Sequence, residues 1–220
     1  KPDFVFNLVE SISNKGELCY FIPALLNMRS IPYTGNPLEA MFITTSKALS
    51  YKIMLQENIS TPRTCFPSQH GMLEPGKKYI IKPLWEDGSQ GITHDSVFTY
   101  SAGYEKNFEH KHDSHWIIQE YIDGREFNIS VLWSKNGPEV MPPAEMIFHN
   151  FGEGIPKIVD FRAKWIEDSF EYENTIREFP GVKLDSTLRK SIEETALKCW
   201  HVFGLRGYAR VDLRVDRDGI

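Results

Sequence analysis

The sequence predicts a mixed α/β (α+β) fold. Residues 3–35 read as strand, helix and short strand, the opening of a doubly wound unit. Further on, strand-like runs at 78–83, 116–122 and 126–133 alternate with turns, and one clear helix precedes an alternating strand at 208–215.

Composition narrows the function classes. The chain has 220 residues, 41% hydrophobic and 13% aromatic, enough for one large or two smaller cores. Net charge is -5. No long Lys/Arg block is present, which argues against a nucleic-acid partner. No apolar run reaches the length of a membrane span. The three cysteines, Cys19, Cys65 and Cys199, are scattered. That argues against a disulfide framework and fits a reducing cytoplasm. Both ends read as cut: a core strand comes almost at once at 3–9, and 211–220 reads as a strand running into a turn.

Asp3 to Val9 reads as an apolar core strand. A helix follows, with Leu18, Phe21, Ile22, Leu25 and Leu26 at helical spacing; Pro23 requires it to start near Tyr20 or to kink. Residues 30–35 are a short strand and turn. Thr44, Thr45 or Ser46 can cap a helix from Lys47 to Glu57, with Ala48, Tyr51 and Leu55 inward. Lys47 lies in its first turn, where a cation opposes the helix dipole unless an anion is near. Residues 61–78 read as turns around one short strand.

The segment 78–93, KYIIKPLWEDGSQGIT, carries the first chemical signal. Tyr79, Ile80 and Ile81 make a strand, Lys82 stands at its end, and Pro83 closes it. A loop with Gly88, Ser89 and Gly91 follows. A point charge beside a cradle of N–H groups suits a polyphosphate; the alternative is a plain surface hairpin. Neither G-x-x-x-x-G-K-[ST] nor G-x-G-x-x-G is present. Residues 94–115 are polar. A zinc site can be drawn from His110, His112 and His115, but neither a cysteine nor a regular helix supports it.

Trp116 to Ile122 is a strand, Asp123-Gly124 a turn, and Glu126 to Trp133 a strand with Phe127, Ile129, Val131 and Trp133 on one face. Residues 142–182 are long, aromatic and irregular, as functional loops often are, and contain Lys164. Asp185 or Ser186 caps the clearest helix, whose stripe is Leu188, Ile192, Ala196, Cys199 and Phe203; Gly204 ends it. In the strand 208–215, Ala209, Val211, Leu213 and Val215 share one face, and Tyr208, Arg210, Asp212 and Arg214 the other. Arg210 and Asp212 lie roughly 7 Å apart along such a strand. They read either as part of a salt-bridge ladder or as a metal carboxylate beside a guanidinium, both aimed at a phosphate.

Together these features resemble the D-alanine–D-alanine ligase family of the ATP-grasp superfamily. The resemblance rests on FNLVE at 6–10, IPYTG at 31–35, SKALSYK at 46–52, STPRT at 60–64, YIIKP with its loop, QEYIDGREFNISVL at 119–132, AKW at 163–165 and FGLRGYARVDLRVDRDG at 203–219. It implies an ATP-grasp fold with a partial Rossmann-like region at 1–38, a central lid subdomain at 39–119 and a C-terminal antiparallel-sheet subdomain at 120–220. It implies ATP and Mg²⁺ as cofactors, amino acids or short peptides as substrates, a homodimer when full length, and a cytoplasmic setting in cell-wall building. Lys47 and Lys82 would contact the phosphates, and the loop of Gly88, Ser89 and Gly91 would close over them. Gln119 and the backbones of Glu120 and Ile122 would face the adenine, and Glu126 would hold the ribose. Lys164 would reach the transferred phosphate, Arg210 would stabilise the tetrahedral intermediate, and Asp212 would bind Mg²⁺. The implied reaction is ATP-dependent carboxylate–amine ligation through an acyl phosphate. The alternative is a non-catalytic nucleotide-binding relative.

The sequence departs from the family at four places. Residues 10–17 read ESISNKGE where the family has a His-Gly…Gly-Glu-Asp-Gly substrate motif, which puts D-alanine in doubt. Lys164-Trp165 stands for Lys-Tyr. Asp87-Gly88-Ser89-Gln90-Gly91 stands for Gly-Ser-Ser-Val-Gly, and Gln119 for an adenine-facing Glu. The family's remaining magnesium ligands, a Glu and an Asn beyond Asp218-Gly219, are expected past Ile220, so residues 1–220 alone are expected to be inactive or nearly so.

Overall fold

The computed structural model describes residues 2–216 and Gly219. Arg217, Asp218 and Ile220, the end of the expected closing strand and turn, lie outside the described residues.

The N-terminal unit is thinner than its apolar pattern suggests. Val5 makes one parallel bridge to Tyr33, with Val5 N–H donating to Pro32 O and Thr34 N–H to Val5 O. The expected core strand 3–9 does not form: Phe4, Phe6 and Leu8 are exposed. Parallel strands hold when neighbours flank them and layers cover both faces, and a single bridge provides neither. Helix α1 (Phe21–Met28) accommodates Pro23 in its first turn, where no helical N–H is lost. Its expected inward stripe is open, since Phe21 and Leu25 are exposed.

Helix α2 (Leu38–Thr45) was not visible in the pattern. It runs into α3 (Lys47–Gln56) through Ser46, which caps α3 by accepting from Leu49 N–H. Ile53 and Met54 of α3 pack inward and Ala48 and Tyr51 are half-buried, whereas Leu55, expected in the same stripe, is exposed. Ile43, Ile53 and Met54 pack on buried Ile59, Cys199 and Phe203.

A four-stranded antiparallel sheet follows, ordered β1-β4-β2-β3, from β1 (Thr64–Cys65), β2 (Lys78–Pro83), β3 (Val97–Thr99) and β4 (Trp116–Glu120). Cys65, Leu73, Tyr79, Phe98, Phe108 and Ile118 form its core.

The C-terminal sheet is organised around β5 (Arg125–Ser134). On one side it pairs with β6 (Gly137–Val140) and then β7 (Ala144–Phe148), and β7 continues to β8 (Thr175–Glu178). On the other it pairs antiparallel over eight residues with β9 (Tyr208–Val215). The stretch 142–182, expected to be irregular, therefore contains β7, β8 and two short helices, α4 (Phe161–Trp165) and α5 (Phe170–Asn174). These elements are too short to show a period. Helix α6 (Ser186–Val202) is capped by Asp185, as expected, and buries Ile192, Ala196, Cys199 and Trp200. It covers Phe127, Ile129, Val131 and Val215. Gly204 ends it with φ +60°. Trp133, expected to point inward, is exposed and lies against Trp200.

The turn between β4 and β5 has no spare volume. A Cβ on Gly124 would stand 1.9 Å from Val215 O. Gly124→Ala is therefore expected to cost about 3 kcal/mol or more, by forcing β5 and β9 apart where they start to pair. Urea denaturation read by far-UV circular dichroism measures it, and a cost below about 1 kcal/mol would contradict this packing.

Candidate active site

The polar faces of β5 and β9, the end of β2, the start of α3 and the helix α4 look onto one space. Antiparallel register sets Glu126 opposite Arg214, Asn128 opposite Asp212 and Ser130 opposite Arg210. All six project on the face away from α6, because their alternate neighbours are the core.

Arg210 donates two hydrogen bonds to Asp212, Nε to Oδ1 at 2.7 Å and Nη2 to Oδ2 at 2.9 Å. Asp212 also accepts from Asn128 Nδ2 at 3.0 Å. Those bonds raise the pKa of Arg210. Further along the same strand, Arg214 Nη2 donates to Glu126 Oε2 at 2.6 Å, Nη1 to Ile122 O at 3.1 Å, and Nη2 also to Lys157 O. Burial pushes the Glu126 carboxyl up, against the pull of Arg214. The contacts on this face are ion pairs: Glu126–Arg214 is a cross-strand pair, and Arg210–Asp212 a pair along one strand.

Lys82, at the end of β2, is half-buried. Its Nζ donates to Gln119 Oε1 at 2.6 Å, and Gln119 Nε2 donates to Thr64 Oγ1 at 3.0 Å. The Gln119 amide, expected at the adenine, bridges Lys82 and Thr64 here. Burial lowers the Lys82 pKa to about 8, helped by the positive charges of Lys47 and Arg214. Lys47, first residue of α3, donates through Nζ to Glu86 O and lies 3.5 Å from Asp87 Oδ1. Lys164 is on α4, not on open loop. Burial and the charge of Arg210 lower its pKa, against Asp212, Glu126 and Asp87. Four cationic side chains, Lys47, Lys82, Lys164 and Arg210, therefore share one field with Asp87, Glu126 and Asp212.

The glycine loop is tied to the segment that carries Lys164. Gly88, Ser89 and Gly91 have φ of +64°, +64° and +70°. Gln90 N–H donates to Asp87 O and Ile92 N–H to Ser89 O, so these two amides close turns instead of facing a ligand. Ser89 Oγ donates to Val159 O, and Trp165 Nε1 donates to Gly88 O at 2.9 Å. The loop is bound in this way to the segment that carries Lys164. Residues 10–17 reach it too: Gly16 N–H donates to Glu86 Oε1 at 3.2 Å. At the hinge, Glu120 N–H donates to Arg63 O, and Ile122 O accepts from Arg214.

The sequence placed Arg214 on the charged face of its strand but assigned it no role. Its position on the same strand face as Arg210 and Asp212 was the available signal. Among the described residues, His110, His112 and His115 do not form a metal-ligand group; the one that does is His94, Asp160 and Glu171. Nothing in the sequence marked those three, which lie 66 and 11 positions apart.

Residues 76–220 match the family model "D-ala D-ala ligase C-terminus". The uncharacterized protein y4sG of Sinorhizobium fredii is 28% identical over 219 residues, 98% of this chain and 62% of its own length. The VanG D-Ala:D-Ser ligase of Enterococcus faecalis superposes with a TM-score of 0.73 at 20% identity, over 100% of this chain and 61% of that one. The Bacillus anthracis D-alanine–D-alanine ligase complexed with ATP gives 0.64 at 22%, over 90% and 60%. The chain spans about three-fifths of the length of these relatives. The two superpositions show the ATP-grasp fold. No helix among the described residues is long and apolar enough to cross a membrane.

The lowered pKa of Lys82 has a definite effect on stability. In the unfolded chain this lysine holds its proton up to its ordinary value near 10.5, and in the folded chain only to about 8. The unfolded state binds more protons between these values, so the penalty is full below about pH 8 and is relieved as pH rises toward 10.5. The stability of Lys82→Met relative to the unsubstituted protein is expected to fall by roughly 2 kcal/mol from pH 7 to pH 10. Urea melts at both pH values check this, and a pH-independent difference would show that Lys82 is not desolvated.

Proposed function

The chain belongs to the D-ala D-ala ligase C-terminus family within the ATP-grasp fold, and from that premise we propose that the full-length protein is an ATP-dependent carboxylate–amine ligase. The observation that carries this reading is the convergence of Lys47, Lys82, Lys164 and Arg210 beside a glycine loop. Burial and like charge already disfavour protonated Lys82 and Lys164. A polyphosphate is the ligand that relieves such crowding.

On this reading Lys47 and Lys82 hold the ATP phosphates, and Gln119 keeps Lys82 aligned. The loop at Gly88, Ser89 and Gly91 covers them. The backbones of Glu120 and Ile122 face the adenine. Glu126 takes the ribose hydroxyls, sharing its carboxylate with Arg214. Lys164 neutralises the phosphoryl group in transfer to a carboxylate, and Arg210 the charge that develops when an amine attacks the acyl phosphate. Trp165 and the loop shield that reactive species from water. Asp212 supplies an oxygen donor suited to Mg²⁺, which takes one or two carboxylates together with substrate phosphates. A bound Mg²⁺ would supply charge neutralisation, in competition with Arg210 for the same carboxylate. The substrates are amino acids or short peptides. Residues 10–17, which lack the family's histidine and lie against Glu86, favour a substrate other than D-alanine.

A nucleotide-binding relative without turnover is the second reading. It is favoured by the two pairs Arg210–Asp212 and Arg214–Glu126, which occupy both carboxylates intended for metal and ribose.

The full-length protein, screened against amino acids and dipeptides, is expected to release ADP only when a suitable amine is present. Lys82→Ala and Arg210→Ala should each lower that rate by about 100-fold or more. Lys82→Ala should also weaken binding of a non-hydrolysable ATP analogue. Analogue binding without any amine-stimulated ADP release would favour the second reading, and no analogue binding would sink both.

A further inference from the structure

His94, Asp160 and Glu171 form a second polar cluster, separate from the cations above. His94 begins the turn that follows the glycine loop, Asp160 caps α4, and Glu171 lies in α5. Asp160 is 0% exposed and Glu171 8%. One oxygen of Asp160 is engaged, Oδ1 accepting from Ala163 N–H at 2.9 Å. The other, Oδ2, is buried and has no hydrogen-bond partner, and the same holds for His94 Nε2. These two orphaned atoms face each other at 3.9 Å, and His94 Nδ1 stands 3.8 Å from Glu171 Oε1. Both separations are too long for hydrogen bonds. Phe151 packs edge-on against the His94 ring, and Arg162 Nε donates to Glu171 Oε2 at 2.9 Å.

Leaving a carboxylate oxygen and an imidazole nitrogen buried without partners is costly. A cation between them removes that cost. One ligand atom from each of the three residues already lies within 4.8 Å of the other two. Ligand atoms around a tetrahedral Zn²⁺ stand roughly 3.3 Å apart, so the group has to close by only an ångström or so. One imidazole with two carboxylates suits Zn²⁺ and its neighbours in the first transition row. Mg²⁺, which favours an all-oxygen octahedron, is poorly served. The Arg162 contact to Glu171 is the kind of outer bond that orients a ligating carboxylate.

We propose that His94, Asp160 and Glu171 bind a divalent cation of the Zn²⁺ type, which ties the glycine loop to the segment carrying Lys164. The ion joins the turn following that loop to the N-cap of the helix bearing Lys164 and to the next helix. This site does not depend on the ligase reading, since metal binding is read directly.

Full-length protein stripped with a chelator and titrated with Zn²⁺ by calorimetry is expected to take up one ion per chain in the micromolar range or tighter. Its melting temperature should rise with Zn²⁺ and not with equal Mg²⁺. His94→Gln and Asp160→Asn should each weaken binding by about tenfold or more, while the combined H110Q, H112Q and H115Q protein should bind as the unsubstituted one does. The melting temperature of each metal-free variant establishes that it folds. If Asp160→Asn does not, because its helix cap is altered, His94→Gln and Glu171→Gln carry the test. Absence of Zn²⁺ binding in the micromolar range, or equal binding by His94→Gln, overturns the proposal and leaves the cluster as a histidine ion-paired with two carboxylates.

Discussion

The pairing of β5 with β9 is the constraint on which the site depends. Its eight-residue antiparallel register fixes two faces at once. One face delivers Phe127, Ile129, Val131 and Val215 to the underside of α6. The other delivers Glu126, Asn128, Arg210, Asp212 and Arg214 to the open space. A slip of one residue would exchange these faces, burying the charges and exposing the core. Gly124 protects the register, because the hinge leading into β5 touches the backbone at the end of β9. Burial of the apolar face is thus what holds the charged face in place.

That charged face is balanced without any ligand, though unevenly. Arg210 and Arg214 each have a carboxylate at hydrogen-bond distance. Lys82 has an amide oxygen, and its nearest charges are partly of its own sign. The two arginines are always protonated, so they are matched by anions of the protein. Lys82 and Lys164, whose pKa values burial lowers, are left to be matched by something else. An anion entering beside Lys47 and Lys82 gains most where the protein offers least. A metal at Asp212, in contrast, has to compete with a bidentate guanidinium.

The sequence made the long periodic elements legible. The alternation in β5 and β9, the stripe and caps of α6, and the Lys-Pro end of β2 followed from spacing and terminal residues alone. Short elements were not legible: β6, β7, β8, α4 and α5 have four or five residues each, and their conformation is set by what they pack against. The N-terminal apolar run failed for the converse reason, since its pattern is strong and its covering layer is thin. In the site, Lys47, Lys82, Lys164, Arg210 and Asp212 were expected from the sequence, and the structure brings them into one field. The pairing of Arg214 with Glu126 and the His94 cluster were missed because their significance is relational. An arginine opposite a glutamate, and a histidine beside a helix cap 66 positions away, have no local signature.

Two departures that look independent along the chain are one feature in space. By the resemblance, Trp165 stands where the family is expected to carry a tyrosine, and Asp87-Gly88-Ser89-Gln90-Gly91 where it is expected to carry Gly-Ser-Ser-Val-Gly. The indole Nε1 of Trp165 donates to Gly88 O, and its ring lies 3.7 Å from where a Gly88 Cβ would stand. Gly88 turns with φ +64°, so its carbonyl is presented to the indole by a backbone conformation that favours glycine. Ser89, also left-handed, adds its hydroxyl to Val159 O. The glycine loop and the segment carrying Lys164 are thus joined by two side-chain hydrogen bonds, one from the Trp165 indole and one from the Ser89 hydroxyl.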